Sequence, residues 1–427
     1  MDCIINANAS SRFGGLWRHP DFLKLWTGQT ISELGSRITR DGLPMAAVLV
    51  LGAGPPQMGF LTAVGAGSVL VFGLVAGVWA DRIRRRPILI AADLARAVLL
   101  GSIPLAAFAH RLSMIQLYLV IALAGFCTVF FDVAYQSYLP SLVERERLLE
   151  GNSKLALSNA IAEIAGPGLT GVLVQLITAP IAILFDALSF LCSALSIWLI
   201  RKPEALLTAP PAFHWKHETA AGLRFVFGHP LLRSLACFSV TGFFSFGFIG
   251  PLYVLYAIRE LRLPPSALGA AIAVGGVGSM LGASLASRAA GRFGLGRTLI
   301  GSIAILVIAD ALIPLAHGSI ARALSFLLAQ QLAGDAAIAV FNVNELTLRQ
   351  SVAPDRVLGR VNAAMQLLTL GIYPIGALFC GVVAQAMGVR ATLALGVAGL
   401  ALSSLWLIAS PLRKLHAVPV AEVTPEL

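Results

Sequence analysis

Long apolar segments alternate with short polar connectors along most of this chain of 427 residues. Leu, Ala, Val, Ile and Phe run together for about 20 residues at a time, the length that a helix needs to cross a hydrocarbon core of roughly 30 Å. The repeated ten-residue alternation typical of a membrane β-barrel is not found in the sequence. The pattern therefore predicts an all-α membrane protein.

Twelve apolar segments are long enough to be membrane-spanning helices. They lie near 22–50, 57–80, 88–109, 114–139, 156–178, 180–200, 232–257, 266–288, 297–316, 320–343, 361–387 and 389–410. A long polar stretch with several prolines separates the first six from the last six and is expected to carry an interfacial helix. We predict a cytoplasmic N-terminal segment (1–21), a six-helix bundle (22–200), a cytoplasmic linker (201–231), a second six-helix bundle (232–410) and a cytoplasmic tail (411–427).

Composition agrees with a surface that faces lipid. Charged residues make up 12% of the chain, against roughly 25% in soluble proteins, and the mean hydropathy is +0.83. The net charge of +10 could indicate a nucleic-acid partner. The basic residues, however, form short clusters between apolar segments and no stripe interleaved with aromatic residues, so no nucleic-acid partner is predicted.

The distribution of basic residues predicts the orientation. If both termini are cytoplasmic, the external loops carry only Arg111, Arg259, Arg262, Arg322 and Arg390, and the cytoplasmic loops carry most of the remaining arginines and lysines. Cytoplasmic loops of membrane proteins are enriched in these residues. Residues 1–20 also lack the apolar core of a cleaved signal peptide. We therefore expect a multi-pass protein of a bacterial inner (plasma) membrane with both termini in the cytoplasm.

The two halves of the chain resemble each other weakly. Residues 141–152 match residues 351–362, and the same offset pairs Gly166 with Gly376 and Gly171 with Gly381. Internal repeats of this kind are typical of transporters that are built from two helix bundles.

One motif lies at the predicted cytoplasmic end of the second helix. Gly73 and Gly77 share a helix face and permit close approach of another helix. Asp81 can meet the partially positive start of a neighbouring helix, and Arg82 and Arg85 can bridge to other acids. The alternative is a plain cluster of cytoplasmic basic residues, to which Asp81 would contribute nothing. This segment resembles the signature loop between helices 2 and 3 of the major facilitator superfamily.

A second motif lies in the fifth helix, where Gly166, Pro167 and Gly171 are similar to the Gly-Pro motif of antiporters in the same superfamily. Proline removes a backbone donor and bends a helix, and glycine permits tight packing, so the segment is a candidate gate. Helix packing alone is the alternative interpretation.

The resemblance to the superfamily covers roughly residues 20–410 and favours the branch of macrolide, multidrug and siderophore exporters, including enterobactin exporters. Residues 35–39, 92–96 and 229–233 also carry it. It implies twelve transmembrane helices in two pseudo-symmetric six-helix bundles. It also implies a cytoplasmic latch in which Asp132 contacts Arg85 and is released by protonation.

Charged residues inside the predicted helices are the candidate cavity and proton-coupling groups. An ionised side chain at the bilayer centre costs about 2.5–3.5 kcal/mol, so each needs a partner, a cavity or a proton. The spacing of Glu33, Arg37 and Arg40 places them on one face of the first helix. The full set is Glu33, Arg37, Arg40, Asp93, Arg96 and Glu163. Structural pairs such as Glu33–Arg37 and Asp93–Arg96 are the alternative.

Other intramembrane residues receive weaker expectations. Acids also lie in the predicted helices at Asp186, Asp310 and Asp335, without an assigned role. Phe243, Phe244, Phe246 and Phe248 could form an aromatic wall for bulky substrates, although lipid-facing or core packing is the simpler reading.

The leading hypothesis is a secondary active transporter that exports small amphipathic organic molecules by proton antiport with alternating access. A lysophospholipid flippase or a metabolite importer of the same fold remains an alternative, as do a membrane-embedded enzyme and a non-transporting receptor. Because no nucleophile motif, paired-histidine motif or nucleotide-binding loop is found in the sequence, we expect no catalytic residues, metal or cofactor. The expected partners are the substrate, protons and lipid, and a monomer is expected.

Overall fold

A computed structural model describes residues 15–80, 84–202 and 215–417, without the side chains of residues 74–80 and 215–218. Its described residues form helices and no strands. The helices are α1 (Pro20–Leu49), α2 (Pro55–Ala80), α3 (Arg85–Phe108), α4 (Met114–Leu142), α5 (Leu148–Ile177), α6 (Ala179–Trp198), α7 (Trp215–Gly228), α8 (Pro230–Leu255), α9 (Pro265–Phe293), α10 (Leu295–Leu315), α11 (Ile320–Val352), α12 (Asp355–Met387), α13 (Val389–Ser403) and α14 (Leu405–Ile408).

Eleven membrane-length segments of the described chain are long and apolar enough to cross a membrane. The twelfth membrane helix is α1, whose 30 residues have the required length but include Glu33, Arg37, Arg40 and Asp41. It packs against α5 and α6, which bring partners within reach of its charged residues. The predicted all-α fold of twelve transmembrane helices is confirmed.

Several helices are longer than the apolar pattern predicted. α5 begins at Leu148 instead of residue 156, and α12 begins at Asp355 instead of residue 361. Their first two turns contain charged residues, Glu150 and Lys154 in α5 and Asp355, Arg356 and Arg360 in α12, so hydropathy did not reveal them, yet the helices continue beyond the apolar part. The predicted last span is interrupted at Ser404, between α13 and α14. α7 lies within the region predicted to be a linker.

The helices form two bundles, α1–α6 and α8–α14. In the first, α1 packs on α5 and α6, and α3 packs on α4 and α6; in the second, α11 packs on α9 and α10, and α12 packs on α8. The halves meet mainly along two helix pairs, α2 with α12 and α5 with α9. The space between these pairs is the centre of the molecule.

Both ends of the described chain lie on the same side of the bundles, here named the termini end. The buried Leu16 donates its N–H to Oε1 of Glu150 at 3.0 Å, at the start of α5. The N–H of Gly296, at the start of α10, donates to the carbonyl of Leu415 at 2.9 Å. The opposite side, with the connectors 50–54, 109–113 and 316–319, is named the far end.

Candidate functional site

At the far end, α5 and α9 touch backbone to backbone. A Cβ atom at Gly171 of α5 would lie 2.9 Å from Cα of Gly269 and 3.1 Å from Cα of Ser266, both on α9. Across the same contact, the N–H of Ser266 donates to Oε1 of Gln175 at 3.1 Å. Because no side chain fits between the helices here, this pair closes one side of the far end.

The other side of the far end is closed in the same way by α2 and α12. A Cβ at Gly59 would lie 3.2 Å from the backbone N of Gly381, and a Cβ at Gly381 would lie 2.7 Å from Cα of Pro56. Small residues let membrane helices approach this closely. The halves are therefore in contact at the far end through both helix pairs.

Towards the termini end, α2 separates from α12 of the other half. A Cβ at Gly371 of α12 would still lie 3.8 Å from Cδ2 of Leu70, but a Cβ at Gly73 would meet no described atom within 4 Å. Among the described residues no other helix approaches Gly73 this closely, so the close contact expected there stays a prediction. The side-chain surroundings of Gly77, and the whole of Asp81 and Arg82, lie outside the described residues.

A charged cluster joins α1 to α5 in the centre of the first bundle. Arg37 forms an ion pair with Glu163 and donates to Oδ1 of Asn159 at 2.7 Å. Arg40 donates to the other carboxylate oxygen of Glu163 at 2.9 Å. The side chain of Glu163 is 43% exposed, so this doubly paired carboxylate faces open space. Glu163, one of the predicted proton-coupling groups, is the centre of the cluster.

The Gly-Pro segment of α5 shapes this cluster. A Cβ at Gly166 would lie 3.0 Å from Cγ of Arg37 and nearer still to its Cβ, so glycine provides the room in which Arg37 reaches Glu163. Pro167 lacks the N–H that would bond the carbonyl of Glu163 in a regular helix. A Cβ built at Gly276 of α9 would lie 3.2 Å from that same carbonyl oxygen of Glu163. The segment therefore links the ion-pair cluster to the contact between halves.

Asp93 and Arg96 form a second, separate ion pair. Asp93 is fully buried in this conformation and lines neither central cavity, so its role in the cavity stays a prediction. The guanidinium of Arg96 lies between two aromatic rings, 4.4 Å from the centre of Phe131 and 4.1 Å from that of Phe190. Spacing along α3 does not distinguish the cavity from the bundle interior, and here the pair joins α3 to α4 and α6.

Glu33 and Asp132 take positions that the sequence left open. Glu33 is half-buried and forms no ion pair among the described residues, and Arg37 pairs with Glu163 instead of forming the alternative Glu33–Arg37 pair. Asp132 is exposed on α4, within electrostatic range of Arg96 and Glu33. A contact between Asp132 and Arg85 stays a prediction.

The centre of the molecule contains two cavities that share one residue. A cavity of about 540 Å³ in the first half is lined by Arg40, Arg96 and Asp186, among others, and by Tyr373 of α12. A cavity of about 340 Å³ in the second half is also lined by Tyr373. Pockets of 300–1,000 Å³ are typical of sites for drug-sized ligands.

The cavity of the second half, here named the C-half pocket, has polar and aromatic walls. Gln330 donates to Oδ1 of Asp310 at 3.0 Å, and Gln331 donates to the hydroxyl of Tyr253 at 3.1 Å. Asp335, one turn further along α11, lies beside the glycine face of α9. Phe243 and Phe246 also line this pocket, whereas Phe244 contacts Phe248 and Phe379 in the packing between α8 and α12.

Sequence reasoning noted Asp310 and Asp335 as intramembrane acids but did not assign them to the site. The available signal was their position in otherwise apolar helices without an arginine one turn away, in contrast to Asp93 and Arg96. Among the described residues there is no group of three or more His, Cys, Asp and Glu side chains with metal-binding geometry.

Comparison with known protein families identifies the class of this membrane protein. The Major Facilitator Superfamily profile matches residues 25–372. The chain belongs to the Major Facilitator Superfamily. It is 26% identical over 352 residues to the multidrug efflux pump Tap of Mycolicibacterium fortuitum, with 76% of this chain and 80% of that protein covered. It is also 26% identical over 189 residues to macrolide efflux protein A of Streptococcus pyogenes, covering 43% and 45%.

Solved structures of other transporters have the same fold. A bacterial homologue of the iron transporter ferroportin in the inward-facing state superposes with a TM-score of 0.76 at 19% identity, covering 93% of this chain and 99% of that one. A structure of such a homologue in the outward-facing state gives a TM-score of 0.57 at 20% identity, covering 91% and 98%. The chain is thus a membrane transporter and not an enzyme, and the predicted resemblance to the drug and macrolide efflux branch is confirmed.

Proposed function

We propose that this protein exports small amphipathic organic molecules, of the drug, macrolide or siderophore class, by proton antiport. The observation that carries the proposal is a central space closed at the far end by two glycine contacts and bordered by the ion-pair cluster of Arg37, Arg40 and Glu163. Two relatives are named as efflux proteins. A transporter that alternates access needs one closed end and a polar site between two bundles, and both are present.

The conformation agrees with an inward-facing state. The higher TM-score with the inward-facing structure follows from the same geometry, because the contacts between halves lie at the far end and the termini end has diverged. We assign the termini end to the cytoplasm of a bacterial inner membrane, on the distribution of arginine and lysine. The transporter is expected to act as a monomer.

Glu163 is the proposed coupling residue. As long as it is ionised it holds Arg37 and Arg40 against α5. A proton on Glu163 would weaken both bonds, since charge-assisted hydrogen bonds are roughly twice as strong as neutral ones. The freed arginines could then change partners as the bundles move. The predicted Asp132–Arg85 latch and the Asp81 motif would act at the cytoplasmic end of the same movement.

The test is efflux from pump-deficient cells loaded with a fluorescent dye, a macrolide or a siderophore, with and without a protonophore. Export that collapses with the proton gradient is expected. Accumulation of a compound instead of its loss would indicate an importer, and movement of labelled lysophospholipid alone would indicate a flippase. Either result contradicts the proposal.

A second variant tests the cytoplasmic motif. Asp81→Asn is expected to leave membrane insertion intact and to abolish most of the export. Full export by a correctly inserted Asp81→Asn protein would remove Asp81 from the mechanism and leave the basic cluster as a topology signal only.

A further inference from the structure

A groove between α3 and α6 lies on the outer surface of the first bundle, away from the two central cavities. Its volume is about 820 Å³, larger than the 540 Å³ and 340 Å³ of those cavities. Small residues form its floor, namely Ala97 and Gly101 of α3 and Ala187 of α6. A Cβ at Gly101 would lie 3.9 Å from the Cβ of Ala187. The two helices therefore meet over small side chains, and a depression is left above them.

The walls of this groove are apolar and uncovered by protein. They consist of Val98, Leu105 and Phe108 of α3 and Leu184, Leu188 and Leu191 of α6. Each of these residues is more than a third exposed, and Phe108 is 89% exposed. Both helices have the length and composition of membrane spans, so this surface faces the hydrocarbon region of the bilayer. Hydrocarbon must therefore fill the groove.

The groove is as long as one leaflet of the bilayer is thick. Its lining runs from Ala97 to Phe108 on α3 and from Pro180 to Leu191 on α6, roughly 16 Å on each helix at 1.5 Å per residue. Half of a hydrocarbon core of roughly 30 Å is about 15 Å. The groove begins at the far end and stops near the middle of both helices. This length fits one acyl chain of the far-end leaflet, whereas a spanning helix of a partner protein would be supported along only half of its length.

Polar groups surround the far-end mouth of the groove. His110 and Thr178 both line it, and Arg111 follows directly and is exposed. No ion pair of the described residues involves Arg111, and the connector 109–113 contains no acid. A guanidinium, an imidazole and a hydroxyl group all supply hydrogen-bond donors, and arginine matches the geometry of a phosphate. The mouth is thus complementary to a phosphate headgroup above the acyl chain.

Thr178 is an unexpected residue at this position. The offset of the internal repeat pairs it with Gly388, and each is the single residue between two successive helices. Their backbones are nearly identical, with φ 90° and ψ 152° at Thr178 and φ 87° and ψ 159° at Gly388. Glycine adopts this conformation readily, but a β-branched residue is strained in it. The first half therefore accepts backbone strain where it places a hydroxyl group at the mouth of the groove.

We infer that this groove binds one anionic phospholipid of the far-end leaflet. One acyl chain lies between α3 and α6, and the phosphate is bound by Arg111, His110 and Thr178. In the proposed orientation this is the external leaflet. The inference does not depend on the transported substrate or on the coupling ion, and it adds a lipid site to the first bundle at a position that the transport pathway does not use.

The test is native mass spectrometry of the purified, full-length protein equilibrated with equal amounts of phosphatidylglycerol and phosphatidylethanolamine that carry the same acyl chains. The wild type is expected to retain one phosphatidylglycerol in preference. Arg111→Gln should lower the ratio of retained phosphatidylglycerol to phosphatidylethanolamine about fivefold, the effect of one arginine at an anionic membrane surface. Arg322→Gln is the matched control, because this exposed far-end arginine of the second half lies outside the groove and its loss should leave the ratio unchanged.

Two further variants separate lipid binding from other roles of the groove. Val98→Trp fills the groove and should lower the retention of both lipids, whereas Leu94→Trp, one turn away on α3 and outside the groove, should not. Thr178→Gly relieves the strain, so it should retain less phosphatidylglycerol without a loss in melting temperature. The inference is overturned by an equal lipid ratio in Arg111→Gln and the wild type, by equal retention in the two tryptophan variants, by unchanged retention in Thr178→Gly, or by a wild-type dimer that Val98→Trp dissociates.

Discussion

The glycine contact between α5 and α9 allows a quantitative prediction for the conformational equilibrium. In Gly171→Ala, the added Cβ would lie 2.9 Å from Cα of Gly269 and closer still to the carbonyl oxygen of Pro265. Neither obstacle is a flexible side chain. The halves must therefore move apart at the far end to accept the methyl group.

Overpacking of this kind costs about 1–3 kcal/mol, and each 1.4 kcal/mol changes an equilibrium constant by about tenfold. We expect Gly171→Ala to shift the equilibrium away from the closed far end by about five- to 150-fold. The penalty applies only while α5 and α9 are in contact, so the state in which they separate is unaffected.

Gly168→Ala is the matched control. It makes the same change on the same helix, three residues away, with the same gain in intrinsic helix propensity. A Cβ at Gly168 would lie 3.7 Å from the Cβ of Ala273 on α9, which is an ordinary van der Waals contact. A difference between the two variants therefore reports the steric contact and not the propensity of alanine for helices.

Pulsed electron–electron double resonance between spin labels that replace Arg111 and His317 measures the opening of the far end directly. Both residues are exposed on far-end connectors of opposite halves. In a background free of the native cysteines, Gly171→Ala should increase the population with a long distance, and Gly168→Ala should match the parent protein. Identical distance distributions in the two variants would refute the reasoning that backbone contact at Gly171 closes this end.

Two further predictions concern the ion pairs. Glu163→Gln leaves Arg37 and Arg40 without their carboxylate, so export measured in vesicles should fall by about tenfold at an unchanged amount of protein in the membrane. Glu163→Asp, which keeps the charge, should recover part of the export. Undiminished export by Glu163→Gln would exclude Glu163 as the coupling residue. Arg96→Met leaves the buried Asp93 unpaired, which should lower the free energy of unfolding by about 3–5 kcal/mol and the melting temperature in detergent. The double variant Asp93→Asn/Arg96→Met should reverse most of this loss. Equal melting temperatures of Arg96→Met and the wild type would contradict a structural role for this pair.

Much of the fold could be predicted from the sequence because a bilayer imposes one length and one polarity on every spanning helix. The starts of α5 and α12 were misplaced because their first two turns contain charged residues, which hydropathy does not assign to a spanning helix. The charge on α1 was correctly identified as needing partners, since helical spacing places Arg37 and Arg40 on the same face.

The partners themselves could not be predicted. Local spacing favoured Glu33 for Arg37, whereas the contact that forms is with Glu163, on a helix far away in the sequence. For the other intramembrane acids the sequence shows one difference, since Asp93 has Arg96 one turn away and Asp335 has no basic residue within a turn. Which of them lines a cavity depends on packing: the helices around α3 bury Asp93 completely, whereas Asp335 lines the cavity of the second half.

The charged face of α1 has a consequence for biogenesis. This helix is synthesised before α5, yet the residue that neutralises Arg37 and Arg40 is Glu163 of α5, more than a hundred residues later in the chain. Until then, α1 would expose unpaired charges to lipid at a cost of several kcal/mol. We therefore expect α1 to enter the bilayer stably only when α5 is available, so that chains truncated before α5 would retain α1 at the translocon or at the membrane surface.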